Sequence, residues 1–314
     1  MLARQEQQTL PPANSRFALP DNDKPYFKAL IPSYGTASRL AMYEKSIQSL
    51  PQPPALWQAF QQACDHGASS QKLGEIIEDD PVLAADILRT ANAPGLGVRI
   101  AITDIGRAVS HLGISLVRSI VSRHSFSKAL NASGKVYHIH KLWKHGMAVS
   151  ALAEIIAEYV PGCNPDIAST LGLFHDIGKM SLNLFTQFQL PATLDMENGH
   201  LVFEYKRFAC THIDLGVLLA KHWQLPESII QGITYHHHPA YAEPSDIPES
   251  IRAEVFAVYL ADMLAIHLGF DTGDTAISLP QQGFEAMLPR TSLADISGLP
   301  SVQQEIRRIE QVEF

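Results

Sequence analysis

Seven histidines and aspartates stand in this chain where its pattern calls for apolar residues. His175 and Asp176 close an apolar run from Ile167 to Phe174 and are followed by Ile177, Gly178 and Lys179. His145 lies among Leu142, Val149, Leu152 and Ile156, which recur at three- and four-residue steps, so a helix there places His145 on its buried stripe. His212 follows within Thr211-His212-Ile213-Asp214-Leu215-Gly216. Then come the run His236-His237-His238 and Asp262, which interrupts Val255, Val258, Tyr259 and Ile266. A buried ionised carboxylate is costly unless it is paired, hydrogen-bonded or bound to metal, and Asp262 has no cation one turn away on its own helical face. Imidazole and carboxylate without thiolate suit Fe, Mn, Zn, Ni or Co, and carboxylates with room for water also admit Mg. Any one inward histidine reads most simply as a core residue; it is the clustering of ligand types that implies a divalent metal centre of one or two ions. His66, His111, His124, His138, His140, His200, His222 and His267 lack that context.

The elements that must position these residues are helices, and the expected fold class is all-α. The stretch 1–35 is rich in proline and polar residues and is expected as an extended arm, with Phe17, Tyr26 and Phe27 available to pack on the body. Helices are expected at Ser38 to Ser49 and Pro54 to His66. Ser70 is expected to cap the next, and Asp80 one that begins at Pro81. Thr103 is expected to cap a short helix and Ser115 a longer one reaching Leu130. Further helices are expected near 138–160, 165–177, 181–190, 199–209, 212–223, 226–237 and 249–269, and a polar one from Val302 to Val312 whose Ile306 and Ile309 could dock or pair with another subunit. Four regions follow: the arm 1–35, an N-terminal helical bundle 36–134 with its seam at Asn131 to Lys135, a metal-binding helical domain 135–271, and a tail 272–314.

The order His145, then His175-Asp176 about thirty residues on, then Asp262 resembles the HD superfamily of metal-dependent phosphohydrolases. His212 and His236-His237 resemble the extended ligands of its two-metal members, among them the HD-GYP cyclic-dinucleotide phosphodiesterases, which carry a lysine in the position of Lys179. The match has departures. After the histidine run the chain reads Pro239-Ala240-Tyr241-Ala242-Glu243-Pro244, without the elements that name HD-GYP, and Lys141 stands where those enzymes place an acidic residue, which argues against a third ion. Upstream, Ile47-Gln48-Ser49-Leu50-Pro51, Ile76 to Pro81, Leu88-Arg89-Thr90-Ala91-Asn92 and Ile102-Thr103-Asp104-Ile105 resemble the start of an HDOD (HD-related output) domain. That resemblance extends from about Ser46 to Gly269 and implies a role in bacterial signalling.

By resemblance, His145, His175, Asp176 and Asp262 hold a first ion, and Asp176 bridges to a second held by His212, His236 and His237, with His238 as a substitute if the register slips by one. Asp176 and Lys179 are the catalytic candidates. Such ions activate water for attack on phosphorus. Lys179 has two readings, a point charge facing a substrate phosphate or a helix C-terminal lysine favoured by the dipole. Lys144, Lys206 and Arg207 either add positive potential at the mouth or are solvated.

A hydrophobic content of 46% in 314 residues is ample for a core, and a formal net charge of -8 without a long basic run excludes nonspecific duplex nucleic-acid binding. The three cysteines Cys64, Cys163 and Cys210 have no metal-like spacing and read as a reducing cytoplasm; Cys210, near His212, is either a ligand or a small core residue. No stretch is long and apolar enough for a membrane span. Two functional classes remain open. One is a metal-dependent phosphohydrolase acting on a nucleotide or related phosphate ester. The other is a regulatory module with a structural or vestigial metal site that binds a signalling partner or a phosphate-containing small molecule, alone or as an oligomer.

Overall fold

The computed structural model describes residues 37–94, 96–130, 136–185, 200–272, 280, 283–287 and 292–312. The expected arm and the seam at Asn131 to Lys135 lie outside them. All regular elements among the described residues are helical, as expected.

The N-terminal half contains α1 (Ala37–Gln48), α2 (Ala55–Asp65), α3 (Ser70–Glu78), α4 (Pro81–Ala91), α5 (Ile105–Leu112) and α6 (Ile114–Leu130). Asp80 caps α4 as expected, its carboxylate accepting the N–H groups of Val82 and Leu83 ahead of Pro81. Two caps move by one residue. Ser69, rather than Ser70, accepts the Lys72 N–H, and Asp104, rather than Thr103, accepts that of Arg107, because only those side chains stand at the last extended residue. Ser115 lies inside α6, which starts directly after Gly113.

The second half contains α7 (Ile139–Ala157), α8 (Pro165–Phe174), α9 (Ile177–Leu184), α10 (His200–Phe208), α11 (His212–His222), α12 (Glu227–Tyr235) and α13 (Arg252–His267). The helix α7 is central, with α8 and α13 packed along it. Its Val149, Leu152 and Ile156 are fully buried, each contributing about 1.5–3 kcal/mol of transfer free energy. Close approach of α7 to α8 depends on small residues: a Cβ on Gly146 would stand 2.9 Å from the Leu173 carbonyl, and one on Gly172 2.9 Å from that of Val149. The aromatic cluster of Trp57, Phe126, Phe174 and Trp223 joins α2 and α6 to α8 and the end of α11.

After α13 come a short α14 (Leu293–Ser297) and α15 (Pro300–Glu310). The last helix begins and ends two residues earlier than expected. Val302 and Ile309 bury against the chain's own body, and Arg308 donates to the His111 carbonyl, so this face docks internally.

Candidate metal centre

Asn164 starts α8 by accepting the N–H groups of Asp166 and Ile167, with Pro165 in the first turn. The helix expected to continue through residue 177 stops at Phe174, and a new one, α9, starts at Ile177 rather than near 181. The chain bends at His175 and Asp176, and the bend turns both side chains inward, to 1% and 7% exposure. A straight helix would place these neighbours about 100° apart around its axis.

Six further residues, on or beside five helices, converge there. His145 comes from α7, Lys179 from the first turn of α9, His212 from the start of α11 and Asp262 from α13. His236 and His237 lie just past the end of α12, which stops two residues short of its expected end. Thr211 and Asp214 form a reciprocal capping box that fixes the start of α11. A Cβ on Gly178 would fall 1.8 Å from the His212 carbonyl oxygen and 2.7 Å from the Gly216 nitrogen, so the backbones of α9 and α11 touch where only glycine fits.

All seven expected ligands meet around Asp176. On one side, Asp176 Oδ2 lies 3.7 Å from His145 Nε2 and 3.6 Å from His175 Nε2, and Asp262 Oδ1 is 3.2 Å from His145 Nε2. On the other, Asp176 Oδ1 lies 3.3 Å from His212 Nε2 and 3.8 Å from His236 Nε2, with His237 Nε2 3.1 Å from His212 Nε2. Two groups able to hold an ion result, His145-His175-Asp176 and Asp176-His212-His236-His237, sharing Asp176.

The hydrogen bonds of the rings test whether a cation fits. The Nδ1 of His145, His175 and His236 donates to the carbonyls of Phe270, Gly172 and Ile233 at 2.7, 2.8 and 2.7 Å, and His212 Nδ1 donates to Glu204 at 2.7 Å. A neutral ring with its proton on Nδ1 presents the Nε2 lone pair inward. Four such lone pairs therefore converge on two carboxylates, and Asp176 Oδ1 and Asp262 Oδ1 are buried without a hydrogen-bond partner. That arrangement is repulsive unless protons or metal cations lie between the groups, and the donor set fits divalent ions.

Burial alone would raise the Asp176 carboxyl, but Lys179 and the surrounding imidazoles outweigh it and hold it well below the usual carboxylate range. Burial would lower His145 and His212, yet Asp262 and Glu204 outweigh it and raise both. Burial, then neighbouring imidazoles, depress His236 strongly and His237 to about 3.

Lys179 is 2% exposed and donates to Asp176 Oδ2 at 2.6 Å and to Thr272 Oγ1 at 3.5 Å. It occupies the first turn of α9, so its reading as a helix C-terminal lysine is overturned. His238 is buried outside both groups with Nδ1 against the Tyr241 hydroxyl at 3.2 Å, and Cys210 is a core residue outside both. Lys144 and Arg207 are half-buried, and Lys141 is exposed and 3.9 Å from Asp271.

Glu204, Tyr137 and Asn183 were not anticipated. Glu204, wholly buried, accepts from the His212 backbone and ring and, on its other oxygen, from the Tyr137 hydroxyl at 2.6 Å. Its signal was present: Leu201, Glu204 and Phe208 form a stripe at helical spacing interrupted by one acidic residue. Asn183 accepts the N–H groups of Val136 and Tyr137, tying that segment to α9.

The chain belongs to the HDOD domain family, whose model matches residues 50–239. The match stops short of Asp262 and is narrower than the resemblance from Ser46 to Gly269. A structure provisionally described as a signal transduction protein, from Marinobacter aquaeolei VT8, is similar with a TM-score of 0.60 and 20% identity, covering 92% of this chain and 64% of that one. Another, provisionally described as a phosphohydrolase from Shewanella amazonensis SB2B, has a TM-score of 0.58 and 18% identity, covering 88% and 98%. At these identities the likeness concerns the fold. An uncharacterized protein of Treponema pallidum is 22% identical over 244 residues, and the matched stretch spans 46% of its length, so this chain covers about half of that relative. No helix among the described residues is long and apolar enough to cross a membrane.

Proposed function

We propose that this HDOD protein acts in signal transduction as a dinuclear metal-dependent phosphohydrolase on a nucleotide or related phosphate ester. The observation that carries this reading is the position of Asp176, one carboxylate shared by two histidine groups with a buried oxygen lacking a hydrogen-bond partner. Two divalent ions, of Fe, Mn, Zn, Ni, Co or Mg, would supply an activated water and neutralise charge on the phosphoryl oxygens. His145, His175 and Asp262 would hold one ion beside Asp176, and His212, His236 and His237 would hold the other. Lys179 keeps the shared carboxylate ionised and oriented. Asp262 and His237 are the more exposed of the ligands, so phosphate approaches from their side.

One observation favours a regulatory module with a single or structural ion instead. Lys179 already holds Asp176 Oδ2, and its ammonium competes there with the first ion.

Elemental analysis and turnover of phosphate esters and cyclic dinucleotides, compared between wild type and Asp176→Asn, test the proposal. The expected result is one to two equivalents of metal in the wild type, with metal and turnover both lost in a variant that keeps its helical circular dichroism. Turnover retained in Asp176→Asn would refute the mechanism, and metal without turnover in the wild type would favour the regulatory reading.

A further inference from the structure

A cleft of about 320 Å³ lies away from the metal centre, between α2 of the N-terminal half and the helices that carry the metal-site histidines. Its size falls within the range of small-molecule sites, about 300–1,000 Å³. Three helices contribute to it with the ends opposite their ligands. Helix α8 lines it with Asp166 and Thr170 and carries His175 just past its other end. Helix α11 starts at His212 and delivers Trp223 and Gln224 past its last turn, and α12 lines the cleft with Ser228 and leads to His236.

The lining has a definite chemistry. Asp65 and Asp166 line the cleft, with the amides of Gln58, Gln62 and Gln224, and among the described residues no lysine, arginine or histidine lines it. Behind the wall, buried Arg118 lies 3.9 Å from Asp166 and donates to Thr170, which partly offsets that acid. The Nε1 groups of Trp57 and Trp223 donate to Ser122 and to the Pro51 carbonyl, so the indoles offer the cleft ring carbon and no donor. Acid, amide oxygen and indole carbon together suit a cation with several N–H donors and repel an anion.

A second observation is Gln61, which lines the cleft and whose Oε1 is buried without a hydrogen-bond partner, an acceptor awaiting a donor. The rim also holds Gln224. It has a φ of 55° and ends α11 in a Schellman turn, with Leu225 N–H donating to Ala220 and Gln224 N–H to Lys221. Glycine is the residue that fits this left-handed position without strain. The chain instead places there a side chain that lines the cleft.

We propose that this cleft is a binding site for a small organic cation of the guanidine or amine class, separate from the metal centre. The assignment does not rest on the phosphohydrolase reading. Titration calorimetry of the full, metal-loaded chain with agmatine as probe, and with AMP as an anionic control, tests it. One equivalent of agmatine should bind, and affinity should fall about tenfold in Asp65→Asn,Asp166→Asn, as for loss of a charge-assisted contact. Gln224→Gly should bind agmatine more weakly while melting at a higher temperature, since it removes the side chain and relieves the backbone. That opposition separates lost contacts from lost fold. Absence of agmatine binding, equal affinity in the variants, or displacement of agmatine by AMP would overturn the proposal.

Discussion

Glu204 receives two hydrogen bonds from one residue: both the backbone N–H and the ring Nδ1 of His212 lie 2.7 Å from the same carboxylate oxygen. The ring is thereby fixed in tautomer and direction, and its Nε2 is aimed at Asp176. A carboxylate behind a ligating imidazole also raises its basicity.

Glu204→Gln keeps the shape and removes the charge. Metal affinity on the His212 side should fall about 10–100-fold, with the His145 side unchanged. Stepwise titration of the metal-free protein checks this, and Tyr137→Phe, which removes only the support to the second Glu204 oxygen, should produce a smaller loss. Two equivalents binding in the variant as in the wild type would show that Glu204 does not act through His212.

Gly178→Ala forces a methyl group against the His212 carbonyl. Overpacking of this kind costs roughly 1–3 kcal/mol, and separating α9 from α11 draws His212 away from Asp176. The variant should melt lower and lose the ion on that side first. An unchanged melting temperature with full metal content would contradict the backbone contact.

The metal-free protein should lose stability on acidification. Burial comes first among the causes that hold His237 at about 3, His238 at about 4 and His236 well below its ordinary value. As pH falls below about 6.5, the unfolded chain takes up protons that these folded histidines refuse, so stability decreases towards pH 4. His145 and His212 have the opposite sign. Their raised folded values contribute stability that is complete below the unfolded value and is lost as pH rises through the folded ones. Melting curves of metal-stripped protein should therefore pass through a maximum near the ordinary histidine range. A melting temperature that climbs steadily down to about pH 4 would show that those three histidines titrate normally.

Much of the centre was legible because burial follows helical period. His145 and Asp262 were recognisable as ligand types on apolar stripes, and His175 and Asp176 as a pair closing one. The break between α8 and α9 was not. The apolar run continues from Phe174 into Ile177 without proline, and the turn is set by packing of α9 on α11. Glu204 was legible in principle but stands five residues before Ala209, whose φ of 56° breaks the helix, and its partners His212 and Tyr137 lie on other segments. Caps displaced by one residue at Ser69 and Asp104 reflect adjacent residues of equal capping ability, between which local sequence does not choose.

The aromatic cluster gives the molecule an optical consequence. All three tryptophans of the chain are enclosed: Trp57 packs edge-on to Phe174 at 6.2 Å, one residue before His175; Trp223 stacks on Phe126 at 4.3 Å; and Trp143 lies two residues before His145. Tryptophan emission from the unlabelled protein therefore originates in largely buried indoles on or beside the helices that carry the candidate ligands, and a shift in its colour registers rearrangement of the frame around the centre.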